Sequence, residues 1–344
     1  MKKIEDSPVN LTTVAKMWGI APKLLYVYYR NYLSSYQQDK LDNIWGFNQI
    51  DIVDKITGEI VKQRPVYIAK PENMGSIMAI DDKQIGKDMF TILTNQKTGK
   101  IALLVETLKI KELNQAISYL GDTTRKVESI SCDMSPTYLS FCEDHFPRAT
   151  IVVDKFHVMQ YVINSVKDVR ISEKNRLMNQ LSEETKENKK TKSKNDNDKQ
   201  ILSDLELLKR SRYLLSQNDE GWNDYQVELM ETVFEKFPSL KKAYDLCNDF
   251  RKWYDSKNIL KHENIIVTEL KKWYEKVKES QLHEFKAVVK MIKKHQENIL
   301  NYFIKATTNA IAENVNSRIQ RFVTNNYGIR DKDFAMFRIS KYFS

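Results

Sequence analysis

Two short apolar runs, each followed by an aspartate, constrain the fold of this chain more than any other feature. Residues 127–132 precede Asp133, residues 150–153 precede Asp154, and a helix-like segment separates the two runs. This pattern predicts a strand, a crossover helix and a second, parallel strand. Carboxylates at the carboxyl ends of buried strands face a common crevice and are poor choices for stability, so Asp133 and Asp154 are candidates for chemistry.

Composition narrows the class of protein. The chain has 344 residues, and its 55 Lys and Arg outnumber 46 Asp and Glu, for a net charge of +9. This length predicts two or three structural units. A basic surface with interleaved aromatic residues suits a polyanion such as nucleic acid, although lysine-rich solvated faces give the same balance.

The cysteines and the lengths of the apolar runs predict the cellular location of the protein. Cys132, Cys142 and Cys247 form no Cys-x-x-Cys pair, so neither a zinc ribbon nor a disulfide framework is indicated, and a reduced, cytoplasmic setting fits. No apolar run reaches the roughly 18 residues that a membrane span needs. We therefore expect a soluble protein without a membrane partner.

The first residues show the spacing of two helices joined by a glycine turn. Apolar residues at 11, 14, 15 and 18, and then at 25, 28 and 29, predict a helix-turn-helix over residues 1–36. Its second helix would carry Lys23, Tyr26 and Arg30 toward a DNA groove. The alternative is a helical hairpin that packs on the next domain.

Residues 37–76 are expected to be a linker with a β-hairpin, formed by residues 44–53 and 60–68 across Thr57-Gly58. Pro65 argues for an edge position in that hairpin. The next segments, 77–80, 89–93 and 100–106, are joined by short polar turns, which predicts an antiparallel meander. A helix over 109–120 then returns the chain to the strand that precedes Asp133.

This order is that of a ribonuclease-H-like α/β core, a mixed five-stranded sheet with helices, whose first part is residues 77–157. The first strand then lies beside the fourth, so Asp81 and Asp133 would be neighbours at about 4.8 Å, whereas Asp154 lies one strand further, at about 9.6 Å. Asp133 is therefore the better partner for Asp81. Strand alternation lets only one of Asp81 and Asp82 face a metal site, and we choose Asp81.

The remaining segments read as helical. Residues 158–300 predict an all-helical insertion. Within it, we expect the lysine- and glutamate-rich tract 172–198 to be a solvated loop or frayed helix. The tryptophans at 253 and 273 are expected to be buried in its core. Residues 301–344 supply a C-terminal helix that completes the core. In it, residues 311, 315, 319 and 322 share one face, and Glu313 lies on the polar face with Asn316. From its position on the helix alone, we would interpret Glu313 as an ordinary solvent-facing residue.

Several separated segments together resemble one family of proteins. The first strand ends in Ile-Asp-Asp, Asp133 begins Asp-Met-Ser-Pro-Thr-Tyr, and Asp154 begins Asp-Lys-Phe-His. Together with four further segments, they resemble the ISL3 insertion-sequence transposases, a branch of the DDE transposases. Their order and spacing make the resemblance specific. The segments are residues 80–82, 132–138, 153–158, 208–215, 243–244, 308–316 and 327–330.

The resemblance implies a catalytic and metal-binding set of Asp81, Asp133 and Glu313. Asp154 and His157 match an Asp-x-x-His signature, for which we expect a supporting role, such as holding DNA or ordering the site, and Asn316 is expected to support it too. A structural role for His157 stays open. Zinc is not expected, because one imidazole and one carboxylate are too few ligands.

The implied chemistry is phosphoryl transfer on DNA. Three carboxylates would hold two Mg²⁺ ions, or Mn²⁺, about 3.5–4 Å apart, so that water frees a 3′-hydroxyl at the element end and this hydroxyl attacks target DNA. Hard oxygen ligands suit Mg²⁺. Neighbouring cations would neutralise phosphates or are plain surface charges. They are Lys155, Arg318, Arg321 and Arg330.

The implied partner is double-stranded DNA, as terminal inverted repeats and as target, bound by a homodimer or higher oligomer in the bacterial cytoplasm at the nucleoid. No small-molecule substrate is expected. Family members commonly begin with a cysteine-rich zinc ribbon that these residues lack, so recognition of terminal repeats is expected to be weakened or reassigned. Two alternatives stay open: a DNA-binding regulator or decayed transposase without catalysis, and a ribonuclease-H-like nuclease without strand transfer.

Overall fold

The computed structural model describes residues 9–41, 48–54, 56–191, 196–259, 261–305, 310–326 and 331–343. The chain divides into two units. The first combines Met1–Asp154 with Thr307–Ser344, and the second is Lys155–Ala306. Within the described ranges, every strand belongs to the first unit, and the second unit is helical. The helical unit is thus an insertion that follows the last strand.

One mixed sheet of seven strands organises the first unit. The strands are β1 (Gln49–Val53), β2 (Ile60–Ala69), β3 (Ile77–Ile85), β4 (Asp88–Asn95), β5 (Ile101–Val105), β6 (Ser129–Cys132) and β7 (Thr150–Val153). Their order is β1-β2-β5-β4-β3-β6-β7. The neighbours β3 and β6 are parallel, as are β6 and β7, and the other pairs are antiparallel. Every residue of β5 is buried, which fits its continuous Ile, Ala, Leu and Val sequence.

The sheet has seven strands rather than the five predicted, because the expected hairpin joins it. β2 pairs with β1 on one side and, from Val66 onward, with β5 on the other. β2 as a whole is therefore an internal strand, but Pro65 pairs only with Gln49 of β1 and has no partner in β5, which agrees with the expected edge position. The strand tolerates this proline because β5 begins to pair only at the next residue, so the missing N–H interrupts no bond to β5.

Fourteen α-helices fall in the described ranges. Those of the first unit before the insertion are α1 (Leu11–Met17), α2 (Pro22–Tyr28), α3 (Tyr36–Leu41), α4 (Ile110–Ser118) and α5 (Pro136–His145), with a π-helical turn at Tyr29–Leu33. The second unit contains α6 (Lys155–Thr191), α7 (Asp196–Arg210), α8 (Asp224–Lys236), α9 (Pro238–Trp253), α10 (Glu263–Ser280), α11 (Phe285–Lys294) and α12 (Gln296–Lys305). The first unit ends with α13 (Ala310–Asn325) and α14 (Lys332–Phe343).

Helices α13 and α14 cover one face of the sheet. Apolar residues of both helices form one buried cluster with residues of β2, β3, β4 and β5. Burial of this apolar surface is the main stabilisation of the arrangement, at roughly 25 cal/mol per Å². The helical members of the cluster are Val315, Ile319, Phe322, Met336, Ile339 and Phe343.

The second unit has its own aromatic core. Trp253 and Trp273 are buried, as their helical spacing predicted, and their indole N–H groups donate to the carbonyls of Ile266 and Leu246 at 3.0 and 2.9 Å. Helix α6 extends into the charged tract as far as Thr191, which agrees with the helical one of the two alternatives expected for this tract. Lysine and glutamate are good helix formers. Of the helices in the described ranges, none is both long and apolar enough to span a membrane.

Candidate functional site

Three aspartates lie at corresponding positions of the three parallel strands, two of them just after their strands end. The β3–β6 register pairs Ala79 with Ser131, and Asp81 and Asp133 each lie two residues further along their chains. Asp133 and Asp154 directly follow the last paired residues of β6 and β7. Because neighbouring strands are about 4.8 Å apart, Asp81 and Asp133 are adjacent and Asp154 is one strand further out.

The carboxylate of Asp81 accepts hydrogen bonds from two directions. Its Oδ1 accepts from the backbone N–H of Asp82 at 2.8 Å, and its Oδ2 accepts from the side-chain amide of Asn316 at 2.7 Å. Asn316 lies on α13, so this bond joins the middle of β3 to a helix 235 residues later in the chain. All three residues are partly exposed, which leaves the carboxylate open to solvent.

Asp82 is held on the other side of β3 by a buried tyrosine. The hydroxyl of Tyr138 donates to Asp82 Oδ1, and it also lies 3.1 Å from the hydroxyl of Thr91, the residue paired with Asp82 on β4. Burial raises the pKa of Tyr138, and the bond to Asp82 raises it further, so this hydroxyl stays protonated. The structure thus directs Asp81, and not Asp82, toward α13.

The segment after Asp133 is stiffened by its own hydrogen bonds. Asp133 Oδ1 accepts from the N–H of Met134 at 2.5 Å. Ser135 caps α5, because its hydroxyl accepts from the N–H of Tyr138 at 3.2 Å, and a proline occupies the first helical position. Asp133 itself is partly exposed and lies at the start of this capped turn. The cap fixes the path from Asp133 to Tyr138.

Glu313 lies on α13, one turn before Asn316, and is exposed. Its helix packs on the sheet through a stripe that differs from the predicted one at its first position: Ile311 is 37% exposed, and Ala312 is buried instead. The other three positions, Val315, Ile319 and Phe322, are buried as predicted, so the helix faces the sheet as expected and only its first turn differs. The buried stripe consists of Ala312, Val315, Ile319 and Phe322.

The predicted three-carboxylate metal site is not assembled in this structure. Among the residues that the structure describes, no group of three or more His, Cys, Asp and Glu side chains lies close enough together to hold a metal ion. The structure therefore brings Asp81 and Asp133 together on adjacent strands, and it brings Asn316 to Asp81. Glu313 does not join them in a three-ligand group.

The two members of the Asp-x-x-His signature fall in different units. Asp154 ends the sheet segment of the first unit, is 8% exposed, and donates its backbone N–H to the carbonyl of Cys132 at 2.9 Å. His157 lies in the first turn of α6, and its ring is 5.7 Å from the ring of Phe156. The supporting role expected for Asp154 and His157 stays a prediction.

Lys155, predicted to contact DNA, is engaged by aromatic rings. Its Nζ lies 5.7 Å from the ring centroid of Tyr254 and 5.6 Å from that of Tyr302. Cation–π contacts of this kind contribute about 0.5–2 kcal/mol. Burial lowers the pKa of Lys155. The ammonium is therefore shared between two tyrosines within the helical unit.

The N-terminal helices pack on α14. Arg30 forms a salt bridge with Asp331 at 2.8 Å. The rings of Tyr26 and Phe334 pack edge to face, with their centroids 5.6 Å apart. Lys23 is exposed and lines a cavity of about 600 Å³ between these helices and α14. Of the three predicted DNA-contacting residues, Tyr26 and Arg30 are thus directed into an intramolecular contact.

The cations near the C-terminus differ in exposure. The guanidinium of Arg318 lies 5.0 Å from the ring of Tyr342 and 5.1 Å from that of Phe343, so it is anchored on α14. Arg321 is exposed on α13. Arg330 lies outside the described residues. Arg321 is accordingly the described arginine of this set that is most accessible to a phosphate.

Tyr138 and Thr91 were missed as site residues by the sequence reasoning. The available signal was indirect: Asp82 must point away from Asp81 on a strand, so a partner had to exist on the opposite face. Tyr138 belongs to the same Asp-Met-Ser-Pro-Thr-Tyr segment as Asp133, but nothing in the spacing indicates that it reaches Asp82.

Comparison with known proteins adds independent information. The family model for ISL3-type DDE transposases, described as a transposase, matches residues 78–339. The transposase for insertion sequence element IS1001 of Bordetella parapertussis is 21% identical over 217 residues, which are 62% of this chain and 47% of that protein. The chain thus matches about half the length of this relative. No solved structure matches the chain.

Proposed function

This chain belongs to the ISL3 family of DDE transposases, and we propose that it cuts DNA at the ends of an insertion sequence and joins those ends to target DNA. The resemblance found in the sequence is confirmed by the family match over residues 78–339. The observation that carries the proposal is that Asp81, within β3, and Asp133, directly after β6, occupy matching positions on adjacent parallel strands, with α13 bonded to Asp81.

We propose a ribonuclease-H-like arrangement for the catalytic core. It is supported by the order β5-β4-β3-β6-β7, in which the first strand of the meander is central and only β4 runs against its neighbours. Parallel strands place their carboxyl ends at one edge, where open α/β sheets bind ligands. The hairpin β1–β2 extends this sheet on the side away from the aspartates.

The donor set fits hard divalent cations, Mg²⁺ or Mn²⁺. Mg²⁺ prefers oxygen ligands and is commonly bound by one or two carboxylates with waters and substrate phosphates. Asp81 already accepts two hydrogen bonds, but an ionised carboxylate offers about four lone-pair positions. Two bound cations would supply an activated water and stabilisation of the leaving oxygen. Asp81 and Asp133 would hold them, and Asn316 keeps the Asp81 carboxylate oriented.

We assign Glu313 as the third carboxylate. Residues three apart on a helix are separated by about 60° around the axis and about 4.5 Å along it, so Glu313 projects close to the side of α13 that already reaches Asp81 through Asn316. Since the described residues hold no three-ligand group, the proposal requires Glu313 to approach the aspartates when cations and DNA bind.

The DNA contacts are proposed from charge and exposure. Two helices joined through Gly19, whose φ is 66°, support a helix-turn-helix at residues 9–28, and Lys23 is exposed on its second helix. Arg321 is exposed on the helix that carries Glu313. We propose double-stranded DNA as the partner, bound as terminal repeats and target by two or more copies of the chain.

The test is end cleavage and joining with Mg²⁺ on a DNA fragment that carries candidate element ends. Wild type should cut and join, Asp133→Asn should do neither, and Asp122→Asn, in an exposed turn, should match wild type. A DNA-binding regulator would shift the DNA without cutting it, and a nuclease would cut without joining. Equal activity of Asp133→Asn and wild type would refute the site assignment.

A further inference from the structure

The bond between Tyr138 and Asp82 joins the two segments that carry the aspartates of the proposed site. Asp82 directly follows Asp81 on β3, and Tyr138 belongs to the capped turn that begins at Asp133. The hydroxyl of Tyr138 donates to Asp82 on the face of β3 opposite to Asn316. Asp81 is therefore one residue from the Asp82 end of this hydrogen bond, and Asp133 is five residues from its Tyr138 end.

Because of strand geometry, this bond also fixes the direction of the Asp81 side chain. Successive side chains on a strand point to opposite faces, so a side chain that is fixed on one face fixes its neighbour on the other. With Asp82 held toward α5, Asp81 must face α13, where Asn316 meets it. Rotation of this part of β3 would exchange the two carboxylates and break both bonds.

The hydroxyl of Tyr138 lies in a buried, polar environment. It lies 3.1 Å from the hydroxyl of Thr91, which is fully buried and donates to the carbonyl of Thr107 at 2.6 Å. Thr107 in turn donates to the carboxylate of the buried Glu112 at 2.5 Å. Tyr138 is 5% exposed. Each of the two hydroxyls gives its single proton to another acceptor, Asp82 for Tyr138 and the Thr107 carbonyl for Thr91, so their contact is close packing in a buried site and not a further hydrogen bond.

On the basis of the proposed function, we propose that Tyr138 is a positioning residue of the metal site. Its bond to Asp82 holds Asp81 on the α13 face of the sheet and sets the distance between Asp81 and the start of α5, and hence Asp133. Residues that orient metal ligands without touching the metal commonly change metal affinity by 10- to 100-fold when they are removed. Tyr138 would act in this way through Asp82.

The test measures Mn²⁺ binding by calorimetry on the full chain, without DNA. Tyr138→Phe should weaken Mn²⁺ binding about tenfold or more. It should also raise the Mg²⁺ concentration for half-maximal cleavage, with a smaller change in the rate at saturating Mg²⁺. The matched control is Tyr244→Phe, which removes another buried tyrosine hydroxyl, one that donates to the carbonyl of Gln217 at 3.0 Å in the helical unit. This control should bind Mn²⁺ like wild type.

A second pair of variants keeps the test informative if Tyr138→Phe folds poorly. Asp82→Asn retains an oxygen that accepts from Tyr138, whereas Asp82→Ala does not. Asp82→Asn should therefore bind Mn²⁺ more tightly than Asp82→Ala. The double variant Asp82→Ala with Tyr138→Phe should be no weaker than either single one, because both changes remove the same bond.

Two results would overturn the inference in distinguishable ways. Unchanged Mn²⁺ binding in Tyr138→Phe and Asp82→Ala, together with its loss in Asp81→Asn, would refute the role of Tyr138 and leave the proposed function standing. Unchanged Mn²⁺ binding in both Asp81→Asn and Asp133→Asn would refute the metal site itself, and the positioning role with it. Thermal unfolding of each variant without metal separates a loss of fold from a loss of ligand geometry.

Discussion

Replacing Asn316 tests how α13 is fixed to β3. Asn316→Ala removes a hydrogen bond to a charged carboxylate, worth about 1.5–3 kcal/mol in general. Both groups are partly exposed, so we expect the lower end, about 1.5 kcal/mol. Because about 1.4 kcal/mol corresponds to a factor of ten, α13 should open from the sheet roughly tenfold more often. Hydrogen exchange of peptides from residues 310–325 would show this as lost protection.

Asn316→Asp should lower the exchange protection of residues 310–325 more than Asn316→Ala does, and Mg²⁺ should reverse part of this loss. Two unit charges about 4 Å apart repel by about 4 kcal/mol at an effective dielectric constant of 20, and partial exposure reduces this to about 2 kcal/mol. Together with the lost bond, protection should fall several-hundred-fold. Millimolar Mg²⁺ should restore protection to Asn316→Asp more than to Asn316→Ala, because only the former adds a carboxylate ligand beside Asp81.

The pH dependence of Asn316→Asp follows from the same repulsion. Two close carboxylates raise the pKa of one of them above its value in the unfolded chain. A raised folded-state pKa stabilises the protein below the unfolded pKa, and this contribution is lost as the pH rises through the folded pKa. The thermal stability deficit of the variant should therefore be full at pH 7.5 and shrink toward pH 4.

The control for this series is Asn314→Ala, which removes an exposed asparagine side chain from the same helix. It should leave exchange of residues 310–325 unchanged. The reasoning would be refuted if Asn316→Ala and Asn314→Ala exchanged alike, or if Mg²⁺ affected the Asp and Ala variants of Asn316 equally.

Three further predictions concern other parts of the chain. Thr107→Val removes the closest donor to the buried Glu112 and should destabilise the first unit by about 1–3 kcal/mol, measured by thermal unfolding. Phe334→Ala removes the ring that packs against the N-terminal helices, a change that costs about 3–5 kcal/mol in cores, and should speed proteolysis within residues 9–41. Arg321→Ala should reduce the slope of the logarithm of the DNA-binding constant against the logarithm of the salt concentration by about one. Lys155→Ala should change this slope less, because the ammonium of Lys155 lies over two tyrosines.

Each of these predictions has its own contrary result. An unchanged melting temperature for Thr107→Val would mean that Glu112 is satisfied by its basic neighbours, Arg64 and Lys109. Unchanged cleavage within residues 9–41 in Phe334→Ala would show that these helices do not depend on α14. Equal salt slopes for the Arg321 and Lys155 variants would contradict the exposure argument.

The local features of the sheet unit follow from the sequence. The alternation of apolar runs and turns was enough to predict β3 to β7 and the aspartates that follow β6 and β7, because strands and turns are encoded by nearby residues. The same reasoning anticipated the buried tryptophans of the helical unit, since their spacing is that of a helix face. These features depend on contacts within about ten residues along the chain.

The partners of the site side chains could not be predicted in this way. Asn316 meets Asp81, and Arg30 meets Asp331, across 235 and 301 residues. Periodicity does not indicate which distant polar groups will meet, so Arg30 was expected at DNA. For the charged tract, the sequence left a loop and a helix open, because the tract has few large apolar residues while its Lys and Glu have high helix propensity.

The discontinuity of the first unit bears on when the protein can become active during its synthesis. Asp81 and Asp133 leave the ribosome long before Asn316 and Glu313, because the whole helical insertion is translated in between. A nascent chain that has completed its sheet still lacks the helix that meets Asp81. On the proposed function, DNA cleavage therefore has to wait until residues 310–325 have been translated.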